Sequence, residues 1–460
     1  MIRRLFSSQL RLNMASGVMV TVINAVAMMV AFPIYLHFLG YERYGVWLVL
    51  GTVLSFARLG NLGIGQAVMK LVAEEHGRGD IEGIQRYVTT ALALLCLSGS
   101  LILIAVLVFK TQIIGAFKLT GENAKMVSWL LPYIGCLSIY VFIVQALNAT
   151  LSGLGRMDLT NYIQAVSRIV AVTVAATLLY SGRGIESLLI GNTLSYVFIH
   201  VVSLICIWRI ARIRLLRINN LDTQRCKRIL RFGGAVFGGS LISMLLSPFN
   251  KLMLSRYAGV ATIPVYEIAF RGSMQVRGLI EGGFRALIPE ISRLSGIATQ
   301  QAKNRIVHIY RLAMRLILFA GVPIYMTLVV FSPLLLRMWL ADRFVENLPG
   351  VFRIMLIGVS FTGLLGALPY YVIMGFGKVR YLVTASIIAG GSNFLLVTTN
   401  YVLTGRVSLC GISICMTLSH IMALTYLYWR VRYLLSRNMT QVMGAKASTN
   451  LLAQAPTSDT

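Results

Sequence analysis

Acidic residues are scarce in this chain. Only 15 Asp and Glu stand against 42 Lys and Arg, and charged residues of both signs fill just 12% of the 460 positions. A soluble domain carries about 25%. So small a supply cannot cover a water-exposed surface of this size, which excludes an ordinary soluble protein, and a 57% apolar composition excludes a disordered chain. Cysteine is sparse as well. Cys96, Cys136, Cys206, Cys226, Cys410 and Cys415 form no CxxC pair, and all but Cys226 lie in or beside apolar runs. They read as packing residues and imply neither a disulfide scaffold nor a metal site. Walker, HExxH and GxSxG motifs are missing, and His37, His76, His200, His308 and His420 are scattered. No catalytic cluster and no cofactor site is expected. The chain does not read as an enzyme.

What the sequence has in abundance is apolar length. About 20 apolar residues cross the hydrocarbon core as a helix, and only helices or closed barrels satisfy the backbone there. Twelve stretches qualify: 12–38, 44–74, 88–109, 127–151, 162–181, 186–208, 232–256, 263–289, 312–337, 350–374, 381–403 and 408–430. The first follows a basic start but is too long for a signal peptide, so it is expected to stay as a membrane helix. The segments on the side of the amino terminus hold 26 basic residues and the opposite segments hold 10, while the remaining six fall inside the stretches. The positive-inside rule therefore predicts a multi-pass protein with both termini cytoplasmic. The basic surplus is explained by topology, and nucleic acid is not an expected partner.

A weak internal repeat divides the chain. A shift of 219 residues brings Gly40 onto Gly259, Val46 onto Val265, Trp47 onto Tyr266, Arg58 onto Arg277 and Gly63 onto Gly282. A shift of 222 brings Gly153-Leu154-Gly155-Arg156 onto Gly375-Phe376-Gly377-Lys378. The predicted fold is all-α: about twelve transmembrane helices in two six-helix lobes related by a pseudo-twofold axis along the membrane normal. The expected boundaries are an amino-terminal lobe at 1–208, a basic cytoplasmic linker at 209–231, a carboxy-terminal lobe at 232–437 and a disordered cytoplasmic tail at 438–460.

The six basic residues inside the stretches are Arg58, Arg168, Lys251, Arg271, Arg277 and Arg285. An ionised group at mid-bilayer costs roughly 2.5–3.5 kcal/mol on insertion scales and normally faces protein or a wet cavity. Arg58 and Arg277 fall near the middle of their stretches, at matching repeat positions. At about 100° per residue, Glu267, Arg271, Arg277, Glu281 and Arg285 share one arc of a single helix. Pairs spaced i,i+4 along that arc would neutralise part of the charge. The surplus is positive, and Arg58 and Lys251 have no acid in their own stretches, so the expected lining is cationic and the expected ligand anionic. Guanidinium groups grip phosphate oxygens two at a time. Arg168, near its helix end, reads as snorkelling. The glycine-rich run at 60–65 follows no strand and reads as close helix packing or a flexible point rather than a nucleotide loop.

The stretch from Phe38-Leu39-Gly40 to Tyr44-Gly45-Val46-Trp47, the run Arg58-Leu59-Gly60-Asn61-Leu62-Gly63-Ile64-Gly65 and the turn Gly153-Leu154-Gly155-Arg156 resemble bacterial polysaccharide-biosynthesis flippases. These are the O-antigen and exopolysaccharide repeat-unit members of the multidrug/oligosaccharidyl-lipid/polysaccharide exporter superfamily. The resemblance implies an inner-membrane protein that moves oligosaccharides on undecaprenyl pyrophosphate from the cytoplasmic to the outer leaflet. Membrane lipids, a polysaccharide polymerase and chain-length proteins are its implied partners. Arg58, Arg277, Arg271, Arg285 and Lys251 are the expected substrate-binding residues, with Glu267 and Glu281 as candidates for ion coupling. Lipid II flippases of the superfamily place a cavity arginine on the first helix as well. This chain has none deep there, and it has twelve rather than fourteen stretches. Drug exporters of the superfamily typically carry amino-terminal membrane carboxylates, which are also missing here. Export of drugs or other small molecules is the alternative reading.

Overall fold

The computed structural model describes residues 8–61, 63–211, 222–282, 291, 294, 299–376 and 378–453. Among them the regular structure is helical throughout. Helix α1 is Ser8–Ala57, followed by a 3-10 turn at Arg58–Asn61, α2 at Ile64–Arg78, α3 at Ile81–Val108 and α4 at Lys110–Ala116. Then come α5 at Gly121–Gly153, α6 at Met157–Tyr180, α7 at Glu186–Ala211, α8 at Thr223–Ala258 and α9 at Thr262–Gly282. The chain continues with α10 at Gln300–Leu340, a 3-10 turn at Ala341–Arg343, α11 at Leu348–Ser360, a π turn at Phe361–Gly366, α12 at Ala367–Gly375, α13 at Val379–Thr404 and α14 at Leu409–Ala453.

Nine helical stretches of the described residues are long and apolar enough to cross a membrane. The first of these runs Ala15–Ser55 and changes direction at Gly40, whose φ of 67° and ψ of 177° are not helical. It therefore begins two crossings, and the second continues through the 3-10 turn into α2. Helices α8 and α9 complete the expected twelve. Lys251 in α8 and Glu267, Arg271 and Arg277 in α9 lie inside these two helices. The protein is a multi-pass, all-α membrane protein.

The repeat is written in the backbone. Gly259, the counterpart of Gly40, also has positive φ and extended ψ, at 93° and 152°. That conformation is open to glycine and costly for other residues. In the first turn of the other match, Leu154 N–H donates to Thr150 and Arg156 N–H to Leu151, while in the second Phe376 N–H donates to Val372 and Lys378 N–H to Ile373. These are the same two bonds displaced by 222 residues.

The chain separates into two compact units. One comprises Met1–Ile268, Leu335–Leu348 and Tyr401–Leu409, and the other Ala269–Leu334, Pro349–Asn400 and Cys410–Thr460. In the first, Val68, Leu71 and Val72 of α2 pack with Val88 and Leu95 of α3 and with Phe142 and Leu147 of α5. In the second, Ile317 of α10 packs with Leu356, Leu368 and Tyr371. Inside a bilayer such contacts hold by van der Waals fit rather than by escape from water. Of the basic segment expected as a linker, 212–221 lie outside the described residues. Helix α14 carries helical backbone to Ala453.

Candidate functional site

Arg58 opens the 3-10 turn that breaks the second crossing. Its side chain lies outside the described residues. A helix broken at membrane depth leaves carbonyl and N–H groups without helical partners, and these must be satisfied by protein or by water in a cavity. Here Ser98 of α3 donates to the Gly60 carbonyl, Asn61 donates to Gln145 of α5, and the Asn61 carbonyl oxygen of the side chain accepts from Gly65 N–H. Gly63 then restarts the helix with φ of 71°. A Cβ on Gly63 would sit 2.2 Å from the Gly233 carbonyl oxygen of α8. The glycine run expected as close packing or a flexible point is thus a helix break, closed by a glycine-on-glycine contact.

Arg277 lies in the second unit, half-buried on α9. Its guanidinium donates to the Thr362 hydroxyl at 3.4 Å. Thr362 belongs to the π turn, and its own hydroxyl proton goes to the Val359 carbonyl at 2.9 Å. A π turn widens a helix by about one residue per turn and is found frequently at functional sites. Gly363 follows, and a Cβ there would lie 2.9 Å from the Tyr325 hydroxyl and 3.5 Å from Arg277 Cγ. The missing side chain leaves room for the Tyr325 hydroxyl, and the arginine stem passes at ordinary contact distance. His420 of α14 is within the electrostatic reach of Arg277, and its Nδ1 is 2.7 Å from the Met416 carbonyl. With Phe270, Gly358, Ser413 and Thr417 it lines a small, mainly apolar cavity in this unit.

Lys251 and Glu267 belong to the first unit. The Lys251 ammonium is 2.8 Å from Glu267 Oε2, with both side chains buried. One residue before each, Asn250 donates to the Tyr266 hydroxyl at 3.1 Å, and both of those residues are fully enclosed. The acid that Lys251 lacks in its own helix is supplied by the next one. A buried lysine joined to a buried carboxylate is a neutral pair, so both groups are less available to an anion or a proton than their sequence positions suggest. Arg271 is exposed on α9. The Glu281 side chain and all of Arg285 lie outside the described residues.

The structure therefore gathers Arg277 with Thr362, Tyr325 and His420, and gathers Lys251 with Glu267. The first three partners were missed in the sequence because each sits alone in a separate apolar run. A proline-free, glycine-containing stretch at 361–366 gives no signal of π geometry.

The family described as polysaccharide biosynthesis protein matches residues 10–295. A Shigella flexneri protein whose name proposes it as an O-antigen transporter is 21% identical over 344 residues, 74% of this chain and 78% of that one. Among solved structures, the lipid II flippase MurJ in an inward closed conformation aligns with a TM-score of 0.73 at 15% identity, over 92% of this chain and 87% of its own. An inward-facing multidrug resistance transporter of the MATE family and MOP superfamily aligns with a TM-score of 0.72 at 16% identity, over 95% and 96%. These two likenesses speak for the fold. With a match across well over half its length, the chain belongs to the polysaccharide biosynthesis protein family.

Proposed function

We propose that this protein is a flippase for lipid-linked oligosaccharide repeat units, carried on undecaprenyl pyrophosphate from the cytoplasmic to the outer leaflet of a bacterial inner membrane. The observation that carries the reading is the setting of its two repeat-matched arginines. Arg58 opens a helix break and Arg277 faces a π turn. Discontinuous helices near mid-membrane are where transporters of several folds bind their cargo. A chain that keeps two guanidinium groups at such places has a use for a buried anion.

In this reading the two six-helix lobes, 1–208 and 232–437, open inward around a cationic cavity. The diphosphate exchanges its water for Arg58 and Arg277, with Arg271 and Arg285 beside them, while the polyprenyl tail stays in lipid. Thr362 aims Arg277. Lys251 and Glu267 hold α8 and α9 together, and Glu281 is left as the second acid of the stripe. Outward closure and release follow by alternating access. A cytoplasm-negative potential favours outward movement of an anion by about 2.3 kcal/mol per charge per 100 mV, so about 4.6 kcal/mol for two charges. No bond is made or broken, and the protein is not an enzyme in this reading. The likeness to a multidrug transporter keeps small-molecule export as the alternative.

The test is genetic. In a deletion strain at normal expression, Arg58→Ala and Arg277→Ala are expected to abolish surface polysaccharide, with lipid-linked repeat units trapped in the cytoplasmic leaflet. Unchanged polysaccharide in both variants would overturn the assignment.

A further inference from the structure

The second unit is almost without acids. Its residues include fifteen Lys and Arg but only Glu281, Glu290 and Asp459, and nothing from 347 to 458 is acidic. Within that stretch, two arginines meet on one ring. The Arg380 guanidinium lies 5.0 Å from the centre of the Tyr381 ring and that of Arg430 lies 4.9 Å from it. Arg430 also stands over Tyr426 at 5.2 Å and Trp429 at 4.5 Å. Arg380 Nη2 donates to the Tyr381 hydroxyl and Arg430 Nε to the Tyr426 hydroxyl, each at 3.2 Å. Lys378 is exposed nearby in the turn before α13.

The aromatic rings hold the cations in place without cancelling their charge. Each guanidinium spends one donor on a phenol and keeps the rest. Tyr381 accepts from Arg380, so its own O–H remains to donate. Among the described residues no carboxylate pairs with Lys378, Arg380 or Arg430. The contrast with the basic start of α8 is sharp, where Arg225 pairs with Asp222 at 3.2 Å and Arg228 with Glu74 at 2.7 Å. Tyr381 is anchored in an apolar cluster with Val431, and Tyr428 and Trp429 beside it are exposed. Exposed aromatic rings next to basic residues mark headgroup depth. By the charge count these ends of α13 and α14 face the cytoplasm, where anionic lipids gather.

We infer that Arg380 and Arg430, with Lys378 and the Tyr381 hydroxyl, form a binding site for the phosphate headgroup of an anionic glycerophospholipid of the inner leaflet. The lipid supplies the counter-charge that the second unit cannot. The inference rests on membrane orientation and not on the nature of the transported cargo.

The test uses the full-length protein reconstituted in nanodiscs of phosphatidylglycerol and phosphatidylcholine, with retained lipid counted by mass spectrometry after exchange into detergent. Wild type is expected to retain phosphatidylglycerol over phosphatidylcholine. The double variant Arg380→Gln/Arg430→Gln is expected to lose that preference several-fold, while Arg225→Gln/Arg228→Gln keeps it. Saturable phosphatidylglycerol binding by wild type is read independently of any variant's folding, and Arg380→Lys/Arg430→Lys separates charge from shape. Equal retention of both lipids by wild type, or an unchanged preference in the Gln double variant, overturns the site. Displacement by inorganic phosphate alone would make it a site for free phosphate and overturn the lipid assignment. Retention is measured without transport, so failure here is distinct from failure of the flippase reading.

Discussion

The indole N–H of Trp339 donates to the carbonyl of Met29 at 2.7 Å. That carbonyl is the one stranded by Pro33, whose ring nitrogen has no hydrogen to return to it along α1. The Trp339 ring also meets Phe32 edge-on, with centroids 6.1 Å apart. Trp339→Phe keeps a ring but deletes the donor, leaving a carbonyl unsatisfied at a cost of about 1–3 kcal/mol. In a Pro33→Ala background the helix recovers its own bond, and the same substitution is expected to cost much less. Thermal unfolding in detergent of the four combinations measures the difference, and equal costs in both backgrounds would refute the pairing.

The same device recurs in the second unit. Pro333 strands the Val329 carbonyl of α10, and Arg353 Nε of α11 donates to it at 2.9 Å and to Ser332 Oγ at 3.1 Å. Arg353→Met is therefore expected to lower the unfolding midpoint markedly and Arg353→Lys to restore part of it, since the guanidinium fork spans three acceptors, the Val329 and Val330 carbonyls and Ser332 Oγ, that a single ammonium does not span. A midpoint unmoved by Arg353→Met would show that water already serves that carbonyl.

Much of this architecture was legible in the sequence. Twelve crossings follow from apolar length, and the repeat follows from Gly40 and Gly259 because a positive φ confines those positions to glycine. The breaks were harder to see. The run from Tyr44 to Val72 reads as one apolar helix, yet the chain leaves the helix at Arg58, where Ser98 of α3 serves the freed Gly60 carbonyl and Gln145 of α5 holds the Asn61 side chain. Those partners are 38 and 84 residues away in sequence, beyond the reach of any local pattern. Lys251 reads as an isolated cation for the same reason. Its acid is on the next helix, and periodicity within one helix cannot report a contact across two.

Gly63 gives the break a direct test. Gly63→Ala forces a side chain into a left-handed conformation at roughly 1–2 kcal/mol and drives its Cβ into the Gly233 carbonyl. Gly65→Ala is the control, since the nearest atom to a Cβ there is 3.7 Å away and φ is not positive. Surface polysaccharide in a deletion strain is expected to fall several-fold for Gly63→Ala and to stay near wild type for Gly65→Ala. Equal tolerance of both would mean that the contact with α8 is loose.

The pair Lys251 and Glu267 separates structural from transport roles. Removing one partner of a buried ion pair leaves an uncompensated charge at a cost of about 3–5 kcal/mol, whereas replacing both with uncharged groups of similar volume is often neutral. Lys251→Met and Glu267→Gln are each expected to reduce the yield of folded protein. The double variant is expected to recover yield, because the Gln can hydrogen-bond and the Met fills the stem's space among buried neighbours. If it also recovers surface polysaccharide, the pair serves to join α8 to α9 and Glu267 carries no coupling proton. If it folds normally but leaves polysaccharide absent, with repeat units trapped inside, then a charge that shuttles between the two is part of the transport cycle.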